Sequence, residues 1–210
     1  MSAARYIAIE GPLRVGKSSL ARALADRIHA RPILDSEDNP HLDSFYGARS
    51  GASFRAQMHF LISRFQQLSQ AAIEQSHTPI VADYLFEKDK LFAYLNLDDA
   101  EVSIYDSYYQ HFKELLPTPE LVIYLKATPK VLRERIARKN VASETKISDK
   151  YLEATVRAYE HFFNHYKSSD VLVVDTSEVD FVQKPKDLEE LLGELSRPVQ
   201  GTQYFLPLGS

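Results

Sequence analysis

An apolar run from Arg5 to Glu10 leads straight into GPLRVGKS, residues Gly11 to Ser18, and a helical run from Ser19 to Ile28 follows. Gly11, Gly16, Lys17 and Ser18 meet the pattern G-x-x-x-x-G-K-S/T in its strand-to-helix setting. The glycines let consecutive backbone N–H groups turn inward on phosphate oxygens, the lysine brings a cation to the β and γ phosphates, and the hydroxyl can ligate Mg²⁺. This one loop dictates a strand, a tight turn and a helix in that order, so it constrains the fold more than any other stretch.

Further strand-like runs occur at Pro32 to Leu34, Pro79 to Ala82, Leu121 to Lys126 and Val171 to Val174. Between them lie segments with helical spacing: Ser53 to Glu74, Asp98 to Leu115, Pro129 to Lys139 and Ser148 to Lys167. Strands alternating with helices predict an α/β fold of three layers, with a five-stranded parallel sheet flanked by helices and ligands bound at the carboxyl ends of the strands. With 210 residues, 44% of them hydrophobic, and no repeat or linker, the chain reads as one domain over 1–196 with an irregular tail over 197–210. The polar stretch near 138–148 has no apolar periodicity and suits a short lid.

The formal charge of -4 gives no general attraction for polyanions, so a small substrate is expected rather than a nucleic acid or a membrane surface. No cysteine is present, which excludes disulfides, thiolate catalysis and Cys-ligated metal centres and suits a cytoplasmic setting. Seven histidines show no metal-ligand motif, and the His161/His165 pair lacks an evident third ligand.

The second strand ends in Leu34-Asp35-Ser36-Glu37-Asp38-Asn39-Pro40, with three carboxylates within four residues. In a doubly wound sheet this loop lies beside the phosphate loop, where a carboxylate can accept the proton of an attacking hydroxyl. The same negative charge would repel an acceptor that already carries a phosphate, so neutral nucleosides are favoured over nucleotides.

Taken in order, several segments resemble the bacterial deoxynucleoside kinases, whose fold is shared with thymidylate kinases. They are the phosphate loop, Glu37-Asp38-Asn39-Pro40, the helix with Gln57 and Ser63-Arg64, Ala82-Asp83-Tyr84 with Phe92-Ala93, and Arg133-Glu-Arg-Ile-Ala-Arg138. The resemblance implies transfer of the ATP γ-phosphate to the 5′-hydroxyl of a deoxyribonucleoside, with a purine base preferred. Asp35 or Glu37 would then be the base, Gln57 would read the nucleobase edge, and Arg64 would brace the site. Tyr46 and Glu144 would hold the sugar 3′-hydroxyl. Asp83 would orient Mg²⁺ together with Ser18. The family commonly follows its acid here with arginine; this chain has Tyr84, and Lys88 is the candidate for the cationic role. Arg135 is assigned the transferred charge, and Arg133 and Arg138 join Arg14, Lys17 and Ser19 around the donor. A homodimer built on two long helices is also implied. An arginine inside the phosphate loop, Arg14 here, occurs in some thymidylate kinases and is unusual among deoxynucleoside kinases, so a nucleoside monophosphate kinase remains the rival, with Arg49, Arg55 or Arg64 around the acceptor's phosphate. A non-catalytic nucleotide-binding module is the third possibility.

Overall fold

Every residue of Tyr6–Glu10 (β1) is buried, as a strand at the centre of a parallel sheet must be when helices cover both faces. The computed structural model describes residues 4–36, 39–41, 51–142, 144–179, 181 and 184–205. Five further strands join β1: Arg31–Ile33 (β2), Ile80–Ala82 (β3), Leu121–Lys126 (β4), Asp170–Asp175 (β5) and Thr202–Phe205 (β6). Their order is β2-β3-β1-β4-β5-β6 and all pairings are parallel, with Ile7 opposite Val81 on one side and Leu121 on the other.

The sheet therefore has six strands rather than the expected five, and the tail taken as irregular supplies the sixth. Thr202–Phe205 alternates exposed and half-buried side chains as an edge strand on β5. Two prolines and two glycines in the segment 197–210 mask that short alternation in the sequence.

Side chains alternate across each strand, and the two faces carry separate cores. Ile7, Ile9, Ile123 and Leu172 face a layer made by Lys17–Arg27 (α1), Pro129–Lys139 (α5) and Pro185–Leu195 (α7), through Leu20, Leu24, Leu132, Ile136, Leu188 and Leu191. On the other face Tyr6 and Ile80 meet Ala52–Gln70 (α2) and Asp99–Glu114 (α4) through Leu61, Leu68, Tyr105 and Tyr109. On that face too, Ala8, Val122 and Val173 pack on Leu91 of Lys88–Asn96 (α3) and on Tyr159 and Phe163 of Asp149–His165 (α6).

Local chemistry starts and stops these helices where the pattern changes. Asp98 and Glu101 form a reciprocal capping box at the start of α4. Thr128 accepts from the Val131 N–H ahead of Pro129 to open α5, and Asn140 ends it in the left-handed region. Between α5 and α6 the segment expected as a lid contains a 3₁₀ turn, Glu144–Lys146.

Candidate active site

The buried stripe of α2 runs Ala52, Ala56, Gln57, Leu61, Arg64, Leu68. Two strongly polar side chains thus occupy core positions of an otherwise apolar face, an arrangement that persists only when partners compensate the lost water. Both point into a cavity of about 950 Å³ that also takes in the phosphate loop.

The loop is shaped by two glycines. Gly11 has φ +153°, and a Cβ there would sit 2.2 Å from the Leu125 carbonyl oxygen, so no side chain fits. Gly16, at φ +112°, sets the left-handed turn that opens α1. Lys17 curls back to donate to the carbonyls of Gly11 at 2.8 Å and Pro12 at 3.1 Å, which phosphate oxygens would replace as acceptors. Removal from water, then the neighbouring Lys88 charge, lower its ammonium pKa to about 8. Ser18 and Ser19 lie exposed at the cavity wall.

Beside the loop is a buried charge network. Arg64 donates through Nε to Asp35 Oδ1 at 3.0 Å and through Nη2 to Asp35 Oδ2 at 2.7 Å, while its Nη1 donates to Asp89 Oδ1. The guanidinium also lies 4.7 Å from the centroid of the Phe60 ring. Tyr105 donates to Asp89 Oδ2 at 2.9 Å, and the Gln57 amide donates to the Asp89 backbone carbonyl at 3.2 Å. Lys88 is buried, with Nζ 3.3 Å from Asp35 Oδ2 and 3.7 Å from Glu10 Oε2. Asp83 is buried at the end of β3 and accepts the Asp35 N–H at 2.5 Å. Although burial alone would raise it, the charges of Arg64 and Lys88 hold the Asp35 carboxyl well below the usual carboxylate range.

Several expected site residues therefore meet in one place: Asp35, Gln57, Arg64, Asp83 and Lys88 share the cavity with Arg14, Lys17 and Glu144. Asp35 is ion-paired on both oxygens, which suits an orienting anion better than a proton acceptor. Glu37 and Tyr46, and Arg49 of the rival reading, lie outside the described residues. Arg135 also lines the cavity, and its guanidinium donates to the carbonyls of Val15 at 3.1 Å, Thr176 at 2.5 Å and Val179 at 3.5 Å and to the Thr176 hydroxyl, fixing the loop after β5 to the phosphate loop. Arg133 turns away from the cavity to Asp149 and the Ile147 carbonyl. Arg138 lines the cavity wall beside Arg135 and has an exposed side chain. Arg14 and Glu144 form a bidentate ion pair at 2.7 and 2.5 Å.

Sequence reasoning missed Glu10 and Asp89. Glu10 is fully buried and accepts from the Gly11 N–H at 2.8 Å, the Leu85 N–H at 2.8 Å and the Tyr159 hydroxyl at 3.0 Å. A carboxylate at the end of an otherwise apolar strand was the available signal. Asp89 sits among alternating charges, Glu87-Lys88-Asp89-Lys90, where Lys88 alone was named as a candidate.

For a metal, the described residues hold no cluster of three or more His, Cys, Asp or Glu side chains. Mg²⁺ in a nucleotide site keeps several waters and takes one or two protein oxygens beside the phosphates. The Ser18 hydroxyl and the Asp83 carboxylate, both on the cavity wall, fit that donor set.

Comparison with known proteins agrees with this geometry. The deoxynucleoside kinase family profile matches residues 7–200. The deoxyguanosine kinase of Bacillus subtilis (strain 168) is 34% identical over 91% of this chain and 96% of its own. The deoxyadenosine/deoxycytidine kinase of the same organism is 26% identical over 94% of each chain. Among solved structures, a deoxyadenosine kinase from M. mycoides with the products dCMP and dCDP superposes with a TM-score of 0.78 at 25% identity, covering 91% of this chain and 98% of that one.

Proposed function

The chain belongs to the deoxynucleoside kinase family, and from that premise we propose that it moves the γ-phosphate of ATP to the 5′-hydroxyl of a purine deoxyribonucleoside. As a family member it is an ATP-dependent phosphotransferase acting on a nucleoside hydroxyl. The observation that carries the neutral acceptor is the occupation of Arg64. Its charge is already matched by Asp35 and Asp89, Arg55 is not among the residues of the cavity wall, and Arg49 lies outside the described residues. Of the arginines that the rival reading offers for a phosphate on the acceptor, neither described one, Arg55 or Arg64, is therefore placed to hold it.

In this reading Lys17 and the loop N–H groups hold the donor phosphates, with Arg138 at the cavity wall. Ser18, and Asp83 through water, would hold Mg²⁺, whose chemistry is to neutralise charge on the β and γ oxygens. Asp35 accepts a hydrogen bond from the 5′-hydroxyl and aims its oxygen in line, which suffices for a loose transition state that asks little of a base. Lys88, beside Asp35, supplies the cation that Tyr84 cannot. Tyr84 instead donates its hydroxyl to Gln67 Oε1 at 2.7 Å. Gln57 presents donor and acceptor to the base edge between Phe60 and Phe92, and Glu144 takes the sugar 3′-hydroxyl. The purine preference is supported by the deoxyguanosine kinase named above.

An ADP-release assay across the four deoxynucleosides and their monophosphates tests the assignment. Turnover with a purine deoxynucleoside is expected. Turnover confined to monophosphates would establish the thymidylate-type reading, and ATP binding without acceptor-dependent ADP release the non-catalytic one. In the same assay Gln57→Ala is expected to change the ratio of kcat/KM between purine and pyrimidine substrates by about tenfold or more; an unchanged ratio removes Gln57 from the base site.

We also assign a homodimer to the outer face of α4 and its C-cap, where Ile104 and Tyr108 of the helix and Leu115 of the cap are 52%, 51% and 60% exposed. Sedimentation of Ile104→Glu should give a monomer where the parent protein is a dimer; equal masses would refute that face. No helix among the described residues is long and apolar enough to cross a membrane. A cytoplasmic location is our reading from the cysteine-free composition, testable by cell fractionation.

A further inference from the structure

We propose that Arg14 is a positioning residue for the acceptor sugar: it keeps Glu144 on the phosphate loop until the donor's phosphates claim its charge, so that ATP binding delivers Glu144 to the nucleoside. This deepens the assignment of Glu144 to the 3′-hydroxyl and rests on it.

Arg14 stands inside the phosphate loop with φ +60°, a left-handed conformation unusual for a side-chain-bearing residue. Its Nε donates to Glu144 Oε2 at 2.7 Å and its Nη2 to Oε1 at 2.5 Å, joining residues 130 positions apart in sequence. Both partners are largely shielded, with side chains 20% and 11% exposed, and both line the cavity. The arginine's anchor is firm. The loop begins at the Gly11 N–H held by Glu10, and the Val15 carbonyl is held by Arg135. Glu144 stands on a three-residue 3₁₀ turn between α5 and α6.

A triphosphate seated on the loop places several negative charges beside a guanidinium already matched by one carboxylate. Two anions then compete for one cation, and the more highly charged one prevails. The partner that yields is the carboxylate on the short turn. Once released, Glu144 no longer has both oxygens saturated by a charged fork, and it accepts a neutral hydroxyl more strongly. Each ligand thus relieves the other of parting the same ion pair, which gives positive and reciprocal coupling between donor and acceptor. Arg133 and Arg135 do not substitute for Arg14, since each is held on other protein oxygens.

The test is calorimetric titration of the full chain with deoxyguanosine and with 2′,3′-dideoxyguanosine, in the presence and absence of a non-hydrolysable ATP analogue. In the parent protein the analogue should tighten deoxyguanosine binding by about tenfold and leave the dideoxy compound within about twofold. Arg14→Ala should bind deoxyguanosine more tightly without the analogue and lose the coupling. Glu144→Gln, which keeps the shape and removes the charge, should lose the coupling too. Equal coupling in the parent and Arg14→Ala, or equal coupling for both nucleosides, overturns the proposal while leaving the kinase assignment intact. Failure of the parent protein to bind any deoxynucleoside refutes that assignment and this inference with it.

Discussion

Arg64→Met is expected to destabilise the protein by about 3–5 kcal/mol and to remove activity, the largest stability loss of any single change in the site. Arg64 is buried and is the shared partner of Asp35 and Asp89, the latter fully enclosed beside Tyr105. Methionine fills similar space on the α2 stripe but leaves Asp89 buried without its cation. Denaturant unfolding of the parent and variant measures the loss directly, and Arg64→Met combined with Asp89→Leu should recover much of it, because the uncompensated carboxylate goes as well. The pH dependence has a definite sign. Asp35 has its folded-state pKa depressed, so its contribution is present above the unfolded carboxylate value near about 4 and is lost as pH falls further through the folded value. The gap between parent and variant should accordingly be full at neutral pH and narrow in acid. A loss below about 1 kcal/mol would show that this network does not organise the site.

Lys17→Met should lower kcat by about a thousandfold or more with the fold intact. Its hydrogen bonds run to the carbonyls of its own loop, so removing the ammonium takes away phosphate contact and little packing. Circular dichroism and a thermal scan should match the parent while ADP release disappears. The same residue gives a pH signature. With its pKa lowered to about 8 in the free protein, Lys17 regains a full charge when phosphates arrive. ATP binding should then take up a proton above pH 8, and affinity should fall by up to about tenfold per pH unit there, a dependence that Lys17→Met lacks. A parent protein whose ATP affinity is flat from pH 7 to 9.5 would contradict this account.

Most of the frame was legible because the physics that makes it is local. Buried parallel strands must be short apolar runs, and β1, β3, β4 and β5 are such runs. The helix expected over Pro129 to Lys139 begins and ends at those residues because a threonine cap, a proline and an asparagine turn mark it. The site was legible where polar residues interrupt an apolar stripe, as Gln57 and Arg64 do on α2. It was not legible at Asp89, since nothing local says that Glu87, Lys88 and Asp89 are all buried in this run of alternating charges. Arg135 shows the converse limit. Its place near the phosphate loop could be expected, but its binding to the carbonyls of Val15, Thr176 and Val179 depends on loops brought together only by the sheet.

Glu10 ties the first amide of the phosphate loop, the turn at Leu85 and the α6 hydroxyl of Tyr159 to one carboxylate. The phosphate loop and the turn that leads into α3, which carries Phe92 of the proposed base site, therefore share a keystone. Any redesign for a new base that shifted α3 as a rigid piece would loosen ATP as well, leaving side-chain exchange at the cavity wall as the tolerable route for evolution or for an engineer.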